Sequence, residues 1–215
     1  MNNRPPRVLI LNGIESAGVN SVDRVGYALE PLGYQIEDVA LRPTKWYQGR
    51  ENEIWLENLN RIHAVAQPGD HVVAHSNGCR LCFDMLDGGF RFGNLFWFAP
   101  ALDKGLTLRD CCYRHCDVFA NPHDKALLAG QFLWRHRWGA MGRVGYKGPC
   151  VGKVRTLFYP NRQGMGHGHY FEGELLKQLV RVIDMELRMG ARSYAVGDRT
   201  PNSQLLTSSP EATNE

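Results

Sequence analysis

Short runs of β-branched and aromatic residues alternate along the chain with longer stretches whose apolar residues recur at helical spacing. The apolar runs are more continuous than alternating, which is typical of strands buried on both faces. The order predicts an α/β domain with a mainly parallel sheet and helices on both of its faces. The predicted strands are residues 7–11, 34–40, 71–75, 94–98, 117–120 and 154–159. The predicted helices are residues 22–32, 51–66, 78–86 and 174–189.

The length of the chain limits its domain organisation. Its 215 residues are enough for one domain with a substantial core and too few for two ordinary ones. We predict this domain over residues 1–191. Beyond it the composition turns to Ser, Thr, Pro, Asn and Glu, so residues 192–215 are predicted to be a flexible tail. One segment, residues 127–147, does not follow the pattern, and we expect it to be a helix and loop that cover the functional site.

Composition and charge exclude several classes of function. The net charge is only +3 and the basic residues are scattered among acidic ones, so we expect no nucleic-acid partner. The apolar run that follows the first residues is too short for a membrane span and no secretion signal is visible, so neither is expected. The six cysteines form no regular framework, which favours reduced thiols and a cytoplasmic location.

A candidate nucleophile, Ser76, lies where a predicted strand meets a predicted helix. A serine on so sharp a turn needs small residues two positions before and after it, and Ala74 and Gly78 meet this need. Backbone N–H groups at the start of the helix favour developing negative charge, so the N–H of Asn77 is a predicted oxyanion donor. The alternative interpretation is that Ser76 simply caps the helix, because serine is a preferred N-cap residue.

A serine hydroxyl becomes a good nucleophile only with a histidine base that is oriented by a carboxylate. Asp124 comes just after the fifth predicted strand, and His167 comes between the sixth strand and the last helix. Open α/β sheets place their ligands at the carboxyl ends of the strands, where Ser76, Asp124 and His167 are all expected. The sequence therefore predicts a Ser–Asp–His catalytic triad.

The stretch Ala-His-Ser-Asn-Gly around Ser76 resembles the G-x-S-x-G nucleophile elbow of the α/β-hydrolase family, with Ala74 in place of the first glycine. The family order of nucleophile, acid and base is also kept, and the resemblance covers residues 7–190. It implies a compact α/β-hydrolase fold. It also implies that the loop after the first strand supplies a second oxyanion donor. Asn12 and Gly13 occupy the place of the family's His-Gly motif, and the donor is then the N–H of Ile14.

The base and the acid each have an alternative. The family's pattern of Gly, His, two residues and an aromatic residue favours His167 as the base, while His169 is the second candidate. Asp103, after the fourth strand, is the second candidate for the acid. Asp117 begins its strand and is therefore expected at the wrong end of the sheet.

The activity that these residues imply is hydrolysis of a small-molecule ester or thioester, or less favourably an amide, through an acyl-enzyme on Ser76. No metal or cofactor is expected, since the cysteines and histidines lack the spacing of a zinc site and no phosphate-binding glycine motif is present. The alternative from another class is a hydrolase-like binding or regulatory module without turnover. No oligomeric state is predicted. An acyl pocket could be lined by Phe132, Trp134, Trp138 and Met141.

Overall fold

The computed structural model describes residues 5–13, 22–42, 53–133, 139–150, 153–158 and 166–197. In this part of the chain six parallel strands form one sheet in the order β2-β1-β3-β4-β5-β6. The predicted α/β class with a parallel sheet is therefore confirmed. The strands are β1 (Arg7–Leu11), β2 (Gln35–Asp38), β3 (His71–His75), β4 (Asn94–Phe98), β5 (His115–Ala120) and β6 (Val154–Phe158).

Helices form most of the crossover connections between the parallel strands, whereas residues 99–114, which join β4 to β5, contain no helix. They are α1 (Asp23–Leu29), α2 (Glu53–Val65), α3 (Asn77–Asp87), α4 (Lys125–Leu133), α5 (Met141–Val144) and α6 (Gly173–Gly197). Short 3₁₀ turns at Glu30–Leu32 and His169–Phe171 extend α1 and precede α6.

The inner strands of the sheet are buried on both faces, which explains why their apolar runs are continuous. Successive side chains of a strand point to opposite faces. In β1, Leu9 belongs to the hydrophobic cluster that includes residues of α2 and α3, whereas Ile10 belongs to the cluster that includes residues of α1 and α6. The inner strands β3 and β4 are buried at every position. The core therefore holds the carboxyl ends of the strands in fixed positions.

The last helix continues further than the sequence predicts. It runs to Gly197, so the first six residues of the predicted tail, 192–197, are helical. Residues 198–215 lie outside the described residues.

The segment expected to cover the functional site contains α4 and α5. Met141 is completely buried in the core, so it does not line an acyl pocket. The side chain of Phe132 and all of Trp134 and Trp138 lie outside the described residues.

Candidate active site

The candidate residues gather at the carboxyl edge of the sheet. Ser76 directly follows β3, Asp124 follows β5, and His167 lies between β6 and α6. The loop after β1 reaches the same edge, because β1 pairs with β3 in parallel register. Parallel strands thus bring residues that are distant in sequence to the same edge of the sheet.

Ser76 has the backbone conformation of a sharp strand-to-helix turn. Its φ of 53° and ψ of −115° lie in a region that residues other than glycine rarely adopt. The backbone N–H of Ser76 donates to the carbonyl oxygen of Phe98 at 2.9 Å, and the residue is only 3% exposed. Ser76 stands at the N-cap position of α3, but its side chain makes no capping hydrogen bond. The capping interpretation therefore does not account for this serine.

Two glycines allow other backbone segments to approach the turn. A side chain at Gly78 would overlap the carbonyl oxygens of Leu11 and Asn12, so the start of α3 packs directly on the end of β1. A side chain at Gly13 would place its Cβ 3.0 Å from the Cβ of Ser76. The backbone of Gly13 therefore lies directly against Ser76.

Asp124 and His167 form a close hydrogen-bonded pair. His167 Nδ1 lies 2.6 Å from Oδ2 of Asp124, whose side chain is completely buried. The other carboxylate oxygen, Oδ1, accepts a hydrogen bond from the backbone N–H of Leu127 at 3.0 Å. Because a carboxylate can only accept, Nδ1 of His167 carries a proton, and in the neutral imidazole Nε2 is then the acceptor. This Nε2 is buried and has no hydrogen-bond partner among the described residues.

His75, which sequence reasoning assigned no role, connects Ser76 to His167. Its Nε2 donates to the backbone carbonyl oxygen of His167 at 3.1 Å, and the two imidazole rings lie 4.6 Å apart. Burial lowers the pKa of His75 well below the usual 6.5, and the neighbouring His167 lowers it further. The ring is therefore neutral at physiological pH. The one available signal was its place directly before the candidate nucleophile.

Of the two predicted oxyanion donors, the N–H groups of Asn77 and Ile14, the first lies at the start of α3. Asn77 is the first residue of α3, and N–H groups in the first turn of a helix have no acceptor within that helix. Its N–H is thus suited to donate a hydrogen bond to an oxygen that becomes negatively charged when Ser76 attacks a substrate. Ile14 lies outside the described residues. Asn12, two residues before Ile14, donates from Nδ2 to the carboxylate of Asp23 at the start of α1.

The alternative acid and base lie outside this pair. Asp103 is exposed, and its Oδ1 accepts a hydrogen bond from the backbone N–H of Gly105 at 3.0 Å. His169 is also exposed, and its Nδ1 accepts from the backbone N–H of Gly166 at 2.8 Å. Both side chains stabilise local turns.

Asp117 lies towards the amino end of β5, whereas Asp124 follows the carboxyl end of this strand. Its completely buried carboxylate binds Arg155 at 2.8 Å and His115 at 2.8 Å. Burial raises the pKa of Asp117, but the hydrogen bonds from His115 and Arg155 outweigh this effect and keep its pKa below 3.8. Asp117 is therefore an ionised structural residue that holds β5 to β6.

The described residues include no group of three or more His, Cys, Asp or Glu side chains that is arranged to bind a metal ion. All six cysteines are free thiols. Across the described ranges no helix combines the length and apolar character needed to cross a membrane.

Comparisons with known proteins agree with this architecture at the level of the fold. Neither the protein-family models nor the curated proteins include a match to this sequence. Among solved structures, alpha/beta hydrolase domain-containing protein 10 from mouse is similar with a TM-score of 0.56 and 14% identity, over 86% of this chain and 90% of that one.

Two bacterial structures are also similar. A protein of unknown function from Agrobacterium tumefaciens, provisionally grouped with the α/β hydrolases, has a TM-score of 0.51 at 16% identity, over 86% of this chain and 87% of its own. Est1E from Butyrivibrio proteoclasticus has a TM-score of 0.50 at 11% identity, over 88% of this chain and 89% of its own. The chain therefore has the α/β-hydrolase fold, as the resemblance of the elbow implied.

Proposed function

We propose that this chain, which has the α/β-hydrolase fold, is a serine hydrolase that cleaves a small-molecule ester or thioester through an acyl-enzyme on Ser76. The observation that carries the proposal is the hydrogen-bonded pair of Asp124 and His167, which contacts His75, the residue before the strained turn at Ser76. A buried carboxylate that fixes one imidazole tautomer is the arrangement that prepares a histidine to act as a general base. Among the described residues Asp103 and His169 have no such partner, and they are not part of the proposal.

In the proposed first step, the Ser76 hydroxyl oxygen attacks the carbonyl carbon of the substrate while His167 Nε2 takes the hydroxyl proton. Asp124 stabilises the imidazolium that forms. The tetrahedral oxyanion accepts hydrogen bonds from the backbone N–H groups of Asn77 and Ile14, and such a donor contributes roughly 3 to 4 kcal/mol in comparable sites.

The remaining steps release the two products. The tetrahedral intermediate collapses, and the leaving alcohol or thiol departs with the proton from His167. The acyl group then stays on Ser76 until a water molecule, deprotonated by His167, attacks it. This second half returns the proton to Ser76 and frees the acid. All groups needed belong to the chain, and an amide is a less favoured substrate of the same site.

The proposal is tested with a fluorophosphonate probe and with short-chain p-nitrophenyl esters, a matching thioester and a p-nitroanilide. We expect labelling and ester turnover in the unsubstituted protein and neither in Ser76→Ala. His167→Ala should lower kcat by at least about a hundredfold, the lower limit for loss of a general base. His63→Ala, an exposed residue of α2, is the matched histidine control and should keep full activity.

The alternative is a hydrolase-like binding or regulatory module, since folds of this kind can keep the elbow without turnover. Well-folded protein that is neither labelled nor active on the esters would favour this module and contradict the enzyme. Labelling that persists in Ser76→Ala would assign the nucleophile to another residue.

We also propose a cytoplasmic location, because a reducing compartment maintains free thiols such as the six found here. The expected partner is the small-molecule substrate, with no nucleic acid. Cell fractionation with an antibody to the protein tests the location, and recovery from an exported fraction would contradict it.

A further inference from the structure

A general base needs more than its carboxylate partner, because one hydrogen bond still allows the ring and its loop to shift. The contact between Asp124 and Nδ1 fixes the tautomer of His167. His167 belongs to the segment of residues 166–172, which leads into α6. Placing Nε2 accurately against the hydroxyl of Ser76 therefore requires a further contact between this segment and β3.

His75 provides that contact. Its Nε2–H donates to the carbonyl oxygen of His167 at 3.1 Å, across 92 positions in the sequence. A carbonyl oxygen only accepts, so the proton of the His75 ring must be on Nε2. The ring lies 4.6 Å from that of His167 and is tilted by 43° from it. One side chain thus contacts both the backbone and the ring of the candidate base.

His75 is itself held in place from several sides. It is the last residue of β3 and is only 4% exposed. Phe171 packs edge-on against its ring at a centroid distance of 5.2 Å. Its carbonyl oxygen lies 3.2 Å from the point where a Cβ on Gly13 would sit, so the backbone of Gly13 packs against it. A residue fixed in this way can determine the position of a loop that contacts it.

We propose that His75 is a positioning residue for the reaction, which sets the distance and orientation between Ser76 and His167. The inference rests on the proposed function. The backbone of His75 is joined directly to Ser76, while its side chain donates to His167, so one residue connects the candidate nucleophile to the candidate base. The positioning role of His75 requires an N–H donor at the Nε2 position. It also requires an uncharged ring, because a charged ring would oppose formation of the His167 imidazolium.

Three substitutions separate the donor from the volume of the side chain. His75→Phe keeps a flat ring and removes the donor. His75→Gln keeps an amide N–H as many bonds from the backbone as Nε2 of histidine, whereas His75→Asn keeps an amide that is one bond too short. We therefore expect His75→Gln to be the variant that retains activity.

The measurement is kcat and KM on a short-chain p-nitrophenyl ester, with thermal unfolding in parallel. We expect His75→Phe to lower kcat by about 10- to 100-fold with little change in KM, since a displacement of about 1 Å can cost a hundredfold in rate. His75→Asn should show a similar loss, and His75→Gln should recover most of kcat. A purely structural role predicts instead that kcat follows thermal stability in all three variants.

A double-mutant cycle tests whether His75 acts through His167. Residues that act through one another show strongly non-additive effects. We therefore expect His75→Phe to cause no further loss in the His167→Ala background, measured as the rate of fluorophosphonate labelling. An equal loss in both backgrounds would overturn the inference, as would His75→Gln that is no better than His75→Phe. If His75→Phe fails to fold, His75→Gln and His75→Asn complete the same cycle.

The outcomes also separate this inference from the proposed function. Unchanged activity in His75→Phe together with a large loss in His167→Ala overturns the role of His75 alone. Unchanged activity in His167→Ala overturns the proposed base, and the role of His75 with it.

Discussion

Asp124 uses both of its carboxylate oxygens, and His167 binds only one of them. Oδ2 accepts from His167 Nδ1 at 2.6 Å, while Oδ1 accepts from the backbone N–H of Leu127 at 3.0 Å. The second bond holds the carboxylate at the start of α4, so the first has a fixed direction. Stabilising the fold and orienting the imidazole are thus functions of different atoms of one residue.

Asp124→Asn therefore tests the orientation of the base with little change to the fold. The amide oxygen can still accept from Leu127, but the amide nitrogen then faces His167 Nδ1 and favours the wrong tautomer. We expect kcat to fall by about 10⁴-fold, as for the corresponding change in a serine protease triad. Steady-state ester hydrolysis measures the loss, and circular dichroism checks the fold.

Asp103→Asn is the matched control, because this carboxylate is exposed and binds the N–H of Gly105 within its own turn. It should leave kcat unchanged. A large loss in Asp103→Asn with a small one in Asp124→Asn would show that the acid comes from the loop after β4.

The fold was predictable because its inner strands are buried on both faces and so form continuous apolar runs. The bounds of β1, β3 and β4 equal the predicted ones. β5 begins two residues earlier than predicted, at His115, whose imidazole binds the buried Asp117. A hydrophobic pattern does not detect a strand residue that is held by a hydrogen bond from its side chain.

Part of the candidate site was predictable from strand ends, and part was not. Residues such as Ser76, Asp124 and His167 follow strands, and parallel pairing brings strand ends together. The contact between His75 and His167 depends on how the segment before α6 lies against β3, and no spacing in the sequence encodes this distance. The assignment of Ser76, Asp124 and His167 as catalytic residues stays a prediction until the variants are measured.

The two histidines of the segment before α6 are expected to differ strongly in their effect on activity. His169 is exposed and accepts one hydrogen bond, from the N–H of Gly166. His169→Ala should lower kcat by less than about tenfold, since such a bond contributes about 0.5 to 1.5 kcal/mol. Kinetics of His169→Ala and His167→Ala on the same ester provide the comparison. The reverse order of the two effects would assign the base to His169.

Gly78 is required by close packing at the start of α3. A methyl group there would overlap the carbonyl oxygens of Leu11 and Asn12, which are backbone atoms that cannot rotate away. We expect Gly78→Ala to lower the free energy of unfolding by about 3 kcal/mol, the upper end of the usual cost of overpacking. Urea-induced unfolding measures the change.

Gly88, at the other end of α3, is the matched control. Its φ is −68°, and a Cβ there would make only ordinary contacts of 3.4 Å with the carbonyl oxygens of Asp84 and Met85. Gly88→Ala should be neutral or stabilising by about 0.4 to 1 kcal/mol, because alanine restricts the unfolded chain. Equal effects of the two substitutions would show that the contact at Gly78 relaxes without cost.

A further buried histidine, His71, makes the stability of the fold depend on pH. Its Nδ1 accepts a hydrogen bond from the backbone N–H of Asn94 at 3.0 Å, which a protonated ring cannot do. Burial lowers the pKa of His71 from 6.5 to about 4, and the charge of Arg114 contributes to the decrease. The unfolded chain therefore takes up a proton at higher pH than the folded one.

Linkage determines the direction of this effect. Above the unfolded pKa of 6.5 both states are neutral and the full stability is present, and it is lost as the pH falls from 6.5 towards the folded pKa of about 4. The loss due to His71 is on the order of 3 kcal/mol.

His71→Asn keeps an acceptor near the Nδ1 position but does not titrate, so its free energy of unfolding should fall less steeply with decreasing pH. Urea unfolding at several pH values between about 7 and 4.5 measures both slopes. The exposed His63→Asn should keep the original slope, and a slope in His71→Asn equal to that of the unsubstituted protein would contradict a neutral His71 in the fold.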